Sequence, residues 1–189
     1  LFKTDVGSWS YGGEGVLRIG AVPLFSGFMY AAVGSYMVRV YRLHDLRFAR
    51  YPRIWLTTII ATLIYINFFS HHYIWDLRWI LLVSVALIWG PTVMYFRVWR
   101  VTLKVPLLLV FAGVALFIWI AENIATWGGA WLYPNQTDGW ELVSPQKLIA
   151  WFLLLIISVV MVTWVYPPKP PELADEKLAR DPAPTGERP

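Results

Sequence analysis

The chain has 189 residues, 58% of them hydrophobic and 15% charged, with a formal charge of +4 and no cysteine. That balance excludes an ordinary soluble domain, and the absent thiol excludes disulfides, thiolate catalysis and cysteine metal sites. The few charges avoid the long apolar runs, as a bilayer requires, so membrane lipid is the expected partner.

In chain order, residues 1–20 read as a loop, because Gly12, Gly13 and Gly15 break a helix there. The chain starts at Leu1 with no signal-peptide pattern, so a fragment or a trimmed chain is expected. A first span is expected over 23–41, with Pro23 in its first turn and Gly27, Ala31 and Ser35 as a close-packing stripe. A basic loop follows, with Arg39, Arg42, Arg47, Arg50 and Arg53. Further spans are expected over 54–69 and 79–96, the latter kinked at Pro91, then 105–126 and 145–166. The proline-rich stretch 167–189 reads as a disordered cytoplasmic tail.

The alternate loops are charged unequally. One set holds Arg39, Arg42, Arg47, Arg50, Arg53, Arg97, Arg100 and Lys104, the other only Lys3, Arg18, Arg78 and Lys147. Basic loops stay in the cytoplasm, so the N-terminus of this chain is expected outside and its tail inside. The fold expected is therefore an all-α polytopic membrane bundle with five spans.

Gly7-Ser8-Trp9-Ser10-Tyr11 and Gly129-Ala130-Trp131-Leu132-Tyr133 share a G-x-W-x-Y pattern, and each is followed twelve positions later by a proline, Pro23 or Pro145. This spacing reads as a parallel internal repeat of helix, loop and helix. Glu122 precedes Gly129 by seven, and the same offset from Gly7 falls before Leu1, so a sixth helix is expected in the parent protein.

Three groups of residues stand out for chemistry. Glu122 and Asn123 lie near the end of an apolar segment, where an acid needs a partner or a cavity. Beside Trp127, Trp131 and Tyr133, Glu122 has the setting of a general acid that protonates an isoprenoid double bond, with rings to stabilise the cation. It equally suits a hydrogen bond to a neighbouring helix or loop. His71, His72 and Asp76 form H-H-x-x-x-D, so His71 and His72 are candidate ligands of a divalent metal, although interfacial histidines more often bind water or headgroups. Trp9, Tyr11, Trp131 and Tyr133 suit membrane anchoring or substrate contact, and Asn67 lies at the same outer level. No phosphate loop, nucleophile elbow or nucleic-acid module is present.

The stretches GSWSY, GVLRIGAVPLFSGFMYAAVGSYMVR, INFFSHHYIWDLRW and AENIATWGGAWLYPNQTDGWELVSPQKLIAWFLL together resemble the bacterial family known as domain of unknown function 817, the YoaT-like integral membrane proteins. The resemblance covers residues 1 to about 166 and implies a multi-pass protein of the bacterial cytoplasmic membrane without an activity. The style of an acid, a short spacer and G-x-[WY]-x-Y also looks like that of membrane carotenoid hydratases and lycopene cyclases. The expected function is a membrane enzyme acting on a lipid or isoprenoid, a hydrophobic small molecule, with Glu122, Asn123 and Asp76 catalytic. A small-molecule transporter and a non-catalytic assembly factor are the alternatives.

Overall fold

The computed structural model describes residues 2–8, 10–11, 17–20, 22–71 and 73–171. After a helical turn, α1 (Phe2–Asp5), two short strands β1 (Arg18–Ile19) and β2 (Val22–Pro23) pair antiparallel and lead into helix α2 (Phe25–Leu43). Strand β3 (Arg47–Ala49) precedes α3 (Ile54–Ser70) and α4 (Arg78–Trp89). An antiparallel hairpin of β4 (Val93–Val98) and β5 (Val101–Pro106) then feeds directly into α5 (Leu107–Trp127). A 3-10 turn at Pro134–Gln136 lies in the loop before α6 (Gln146–Val165).

Helix α6 is the axis of the molecule and touches α2, α3, α4 and α5. Its buried residues Leu153, Ile156, Val160 and Thr163 recur at three- and four-residue spacing, the signature of one helix face. Leu153, Ile156 and Val160 meet Ile60 and Ile64 of α3, Val85 and Trp89 of α4, and Phe111 of α5 in a single core. Around this core the outer faces remain apolar: Ile59, Leu63, Ile80, Leu87, Phe117 and Ile124 are all exposed.

The expected all-α bundle of five spans is overturned. The described residues form a mixed α/β structure with two sheets, and only α5 and α6 are long and apolar enough to cross a membrane. Of the three expected spans that fall short, 23–41, 54–69 and 79–96, the last departs furthest. Its helix ends at Trp89, and 93–98 is a strand. Pro91 has no N–H to continue the helical ladder and disfavours a helical residue before it, so it ends the helix instead of kinking it. The twelve residues of α4 rise about 18 Å, short of a hydrocarbon core of about 30 Å. Val93, Met94, Tyr95 and Phe96 are as apolar as a span, yet β-branched and aromatic residues also suit a pleated strand.

The sheet order is β3-β4-β5, so residues from the expected basic loops are joined in one sheet. Phe48 N–H also donates to the Lys169 carbonyl at 2.8 Å, which ties the chain beyond α6 to β3. The described residues do not show the expected helix–loop–helix repeat: the first G-x-W-x-Y stretch lies between α1 and the β1–β2 pair, and the second between α5 and α6. Most of the stretch expected to be a disordered tail, 172–189, lies outside the described residues.

Candidate functional site

The last turns of α5 bury three polar side chains, Glu122, Asn123 and Thr126. Buried polar groups need partners, and the loop over 128–145 supplies them. Gly129 turns the chain back with φ 73°, a left-handed conformation that suits glycine after a helix end. Asn123 Oδ1 then accepts from Val143 N–H at 2.9 Å while Trp119 Nε1 donates to the Val143 carbonyl at 3.1 Å. Trp140 Nε1 donates to Thr126 Oγ1 at 3.2 Å, and Gln136 Nε2 donates to the Glu141 carbonyl at 2.6 Å. The loop is thus fastened to α5 along its length.

Glu122 is 3% exposed, and both its oxygens are engaged. Tyr133 hydrogen-bonds Oε1 through its hydroxyl, and Trp151 Nε1 of α6 donates to Oε2 at 2.6 Å. Lys147, one turn before Trp151 on α6, holds its ammonium 4.2 Å from the centre of the Tyr133 ring, in cation–π range. Lysine, tyrosine and carboxylate therefore follow one another inward from the surface.

At the α3–α4 turn a second cluster forms. Asp76 Oδ1 accepts from Arg78 N–H at 3.0 Å and from Asn67 Nδ2 at 3.2 Å, while Arg78 Nε donates to Oδ2 at 2.5 Å. Asn67 Oδ1 accepts in turn from Leu77 N–H at 2.8 Å. Burial pushes the Asp76 carboxyl up, but the Arg78 N–H, the Asn67 amide and the Arg78 guanidinium outweigh it and hold it below the usual carboxylate range.

Between the two clusters opens a cleft of about 400 Å³. Ile64, Phe68, Leu153 and Leu154 give it an apolar floor, and Arg78 and Lys147 give it two cations. Asn67, His71, Ser144 and Gln146 add polar groups, and residues 6–8 form one wall. The N-terminal segment is held there by a reciprocal pair, with Ser10 N–H donating to the Leu132 carbonyl at 3.0 Å and Leu132 N–H to the Ser10 carbonyl at 2.9 Å. Ser10 and Leu132 occupy the same position of their G-x-W-x-Y stretches, and Gly7, like Gly129, has a left-handed φ of 70°.

The structure sorts the residues singled out from the sequence into three places. Glu122, Asn123 and Tyr133 come together under the loop. Asn67 and His71 line the cleft, with His71 Nδ1 3.0 Å from the Asn67 carbonyl, whereas Asp76 lies behind Arg78. Trp127 is 73% exposed on the outside of α5, Trp131 and Tyr11 are half-buried, and Trp9 and His72 lie outside the described residues. The lining of the cleft includes neither Glu122 nor Asp76. Among the described residues no three His, Asp or Glu side chains are grouped to hold a metal ion. Sequence reasoning passed over Lys147, Arg78 and Trp151. The spacing of Lys147 and Trp151, four apart at the start of an apolar helix opposite a lone buried acid, was the available signal.

Comparison with known proteins finds relatives of the sequence. Residues 1–159 match the family described as "Protein of unknown function (DUF817)". The chain is 44% identical over 162 residues to "Uncharacterized protein YoaT" of Bacillus subtilis (strain 168), an alignment covering 86% of this chain and 61% of that protein. No solved structure matches. With a family match over most of its length and a relative this similar, the chain belongs to the DUF817 family.

Proposed function

We propose that this is an integral protein of the bacterial cytoplasmic membrane that takes the anionic head of a lipid-like amphiphile into the cleft between α3 and α6. The observation that carries the reading is the pairing of two cations, Arg78 and Lys147, with an apolar floor in one cleft. A headgroup phosphate or carboxylate suits the first, and acyl or isoprenoid carbon suits the second. Membrane placement is supported by α5 and α6, whose most apolar windows are only 28% and 22% buried although their hydropathy is high. The core helix of a soluble protein hides such a surface, whereas lipid tolerates it. The basic sheet end faces the cytoplasm in this reading, by the positive-inside rule, and the cleft opens at the opposite face.

The test is lipid extraction of the purified protein, read by mass spectrometry, with Lys147→Ala beside the parent. Lys147 is the better target because Arg78 also holds Asp76. An anionic amphiphile should co-purify and fall about tenfold in the variant, the effect of losing roughly 1.4 kcal/mol of charge-assisted bonding. Equal retention in both, or bulk phospholipid alone, would sink the reading.

One observation favours an enzymatic version. Lys147 lines the cleft, its ammonium lies over Tyr133, and Tyr133 reaches Glu122, so a buried acid is linked to bound ligand through two side chains. In this version Glu122 does not itself meet the isoprenoid; it holds Tyr133 under the Lys147 ammonium and so positions the cation that faces the cleft. If so, Glu122→Gln should retain the amphiphile but accumulate it unconverted. Unchanged turnover would leave Glu122 with its structural part only.

A further inference from the structure

The β4–β5 hairpin carries a surface that neither its own sheet nor the core requires. Residues 98–104 are all exposed, on the edge strand β5 and the two-residue tip Trp99-Arg100. Trp99 is 92% exposed, and Val98, Val101 and Leu103 leave apolar area open beside it. Trp99 also holds φ 57°, where a bulky residue is strained and Asn or Gly is the ordinary choice for a tight hairpin. Turn chemistry thus gives no reason for a tryptophan at this position. Among the described residues Arg100 and Lys104 enter no ion pair, and no acidic residue stands anywhere between Asp76 and Glu122.

We infer that the hairpin is an interfacial anchor, in which Trp99, Val98 and Val101 enter the headgroup layer of an anionic phospholipid leaflet while Arg100 and Lys104 meet its phosphates. Three observations on the hairpin converge. Its charge is of one sign and complementary to anionic lipid. Its exposed ring is tryptophan, the side chain suited to the zone where apolar and wet environments meet. And Pro106 of β5 is followed at once by Leu107 of α5, so a membrane-crossing α5 leaves the hairpin at the bilayer boundary. The inference rests on the membrane reading of α5 and α6, and is independent of what fills the cleft.

The absence of cysteine makes the test direct. A fluorophore is attached at Val101→Cys, with Phe117→Cys on the exposed face of α5 as the reference. The protein is reconstituted in phosphatidylcholine vesicles with and without phosphatidylglycerol, and quenching is read with headgroup-level nitroxide lipid for the label at 101 and with acyl-chain nitroxide lipid for the label at 117, which lies mid-way along α5. The label at 101 should be quenched several-fold more when phosphatidylglycerol is present. Arg100→Glu combined with Lys104→Glu, or Trp99→Ala, should remove most of that increase. Quenching at 117 with none at 101, or quenching at 101 indifferent to anionic lipid, overturns the anchor and leaves the membrane reading standing. No quenching at either position overturns both.

Discussion

Glu122 illustrates how a single polar side chain in apolar surroundings decides local structure. Its two acceptors receive donors from the loop and from α6, so removing them strands both partners. Glu122→Leu should destabilise the protein by about 3 kcal/mol, since each buried group left unpaired costs about 1–3 kcal/mol. Glu122→Gln should cost under about 1 kcal/mol, because its amide still accepts from Trp151 and can donate to the Tyr133 hydroxyl, which also accepts. Thermal melts of the detergent-solubilised variants check the order, and a reversed order would mean that the charge itself is indispensable. Asp76 behaves differently. Its folded carboxyl is held below its ordinary range, so between the two pKa values the unfolded chain binds more protons and stability rises with pH. The contribution is complete above the usual aspartate value of about 3.9 and is lost as pH falls through the folded one. The acid dependence of the melting temperature should therefore flatten in Asp76→Asn. At this scale the sequence was half readable. A lone acid at the end of an apolar run announces that it needs a partner, but hydropathy cannot say that Trp151, twenty-nine positions away, provides it.

At the scale of elements, apolar character was easier to read than geometry. The helices α5 and α6 follow from long apolar runs, each with a single charge near one end and each preceded by a proline, Pro106 or Pro145. The run after Trp89 fails the same logic because transfer free energy is blind to backbone conformation. Val93–Phe96 satisfy a hydropathy window, while Gly90-Pro91 and the alternation in VTLKV decide for a hairpin. The tip of that hairpin gives an element-level expectation. Trp99→Asn should stabilise the isolated fold by about 1 kcal/mol, since Asn tolerates a left-handed backbone far better than a bulky aromatic. Equilibrium unfolding in neutral detergent measures it, and a loss of stability would assign Trp99 a packing role that its exposure denies.

On the scale of the whole molecule, two ends are differentiated around the α6 axis. One end gathers β3, β4, β5 and the chain beyond α6; the other gathers the loop over 128–145, the α3–α4 turn and the segment at 6–8. The bridge between Ser10 and Leu132 closes that second end. Residues exchanging both backbone bonds stand about 5.5 Å apart at Cα, within reach of a disulfide. A double variant, Ser10→Cys with Leu132→Cys, should cross-link on oxidation and stabilise the chain by about 2–4 kcal/mol. Gel mobility with and without reductant, followed by melting, decides this; no cross-link under oxidising conditions would break the bridge. The pairing itself was only partly legible, because matched G-x-W-x-Y spacing marks two similar loops without stating that they touch.

The direct junction of β5 and α5 has a mechanical consequence. No residue separates strand from helix, and β5 is bonded along its length to β4, so helix and hairpin turn as one piece. Six residues of strand put the tip about 20 Å from the junction. Bilayers of different thickness change helix tilt; a change of about 20° would sweep Trp99 through about 7 Å. Such a lever converts the thickness of the surrounding lipid into the height of a tryptophan at its surface.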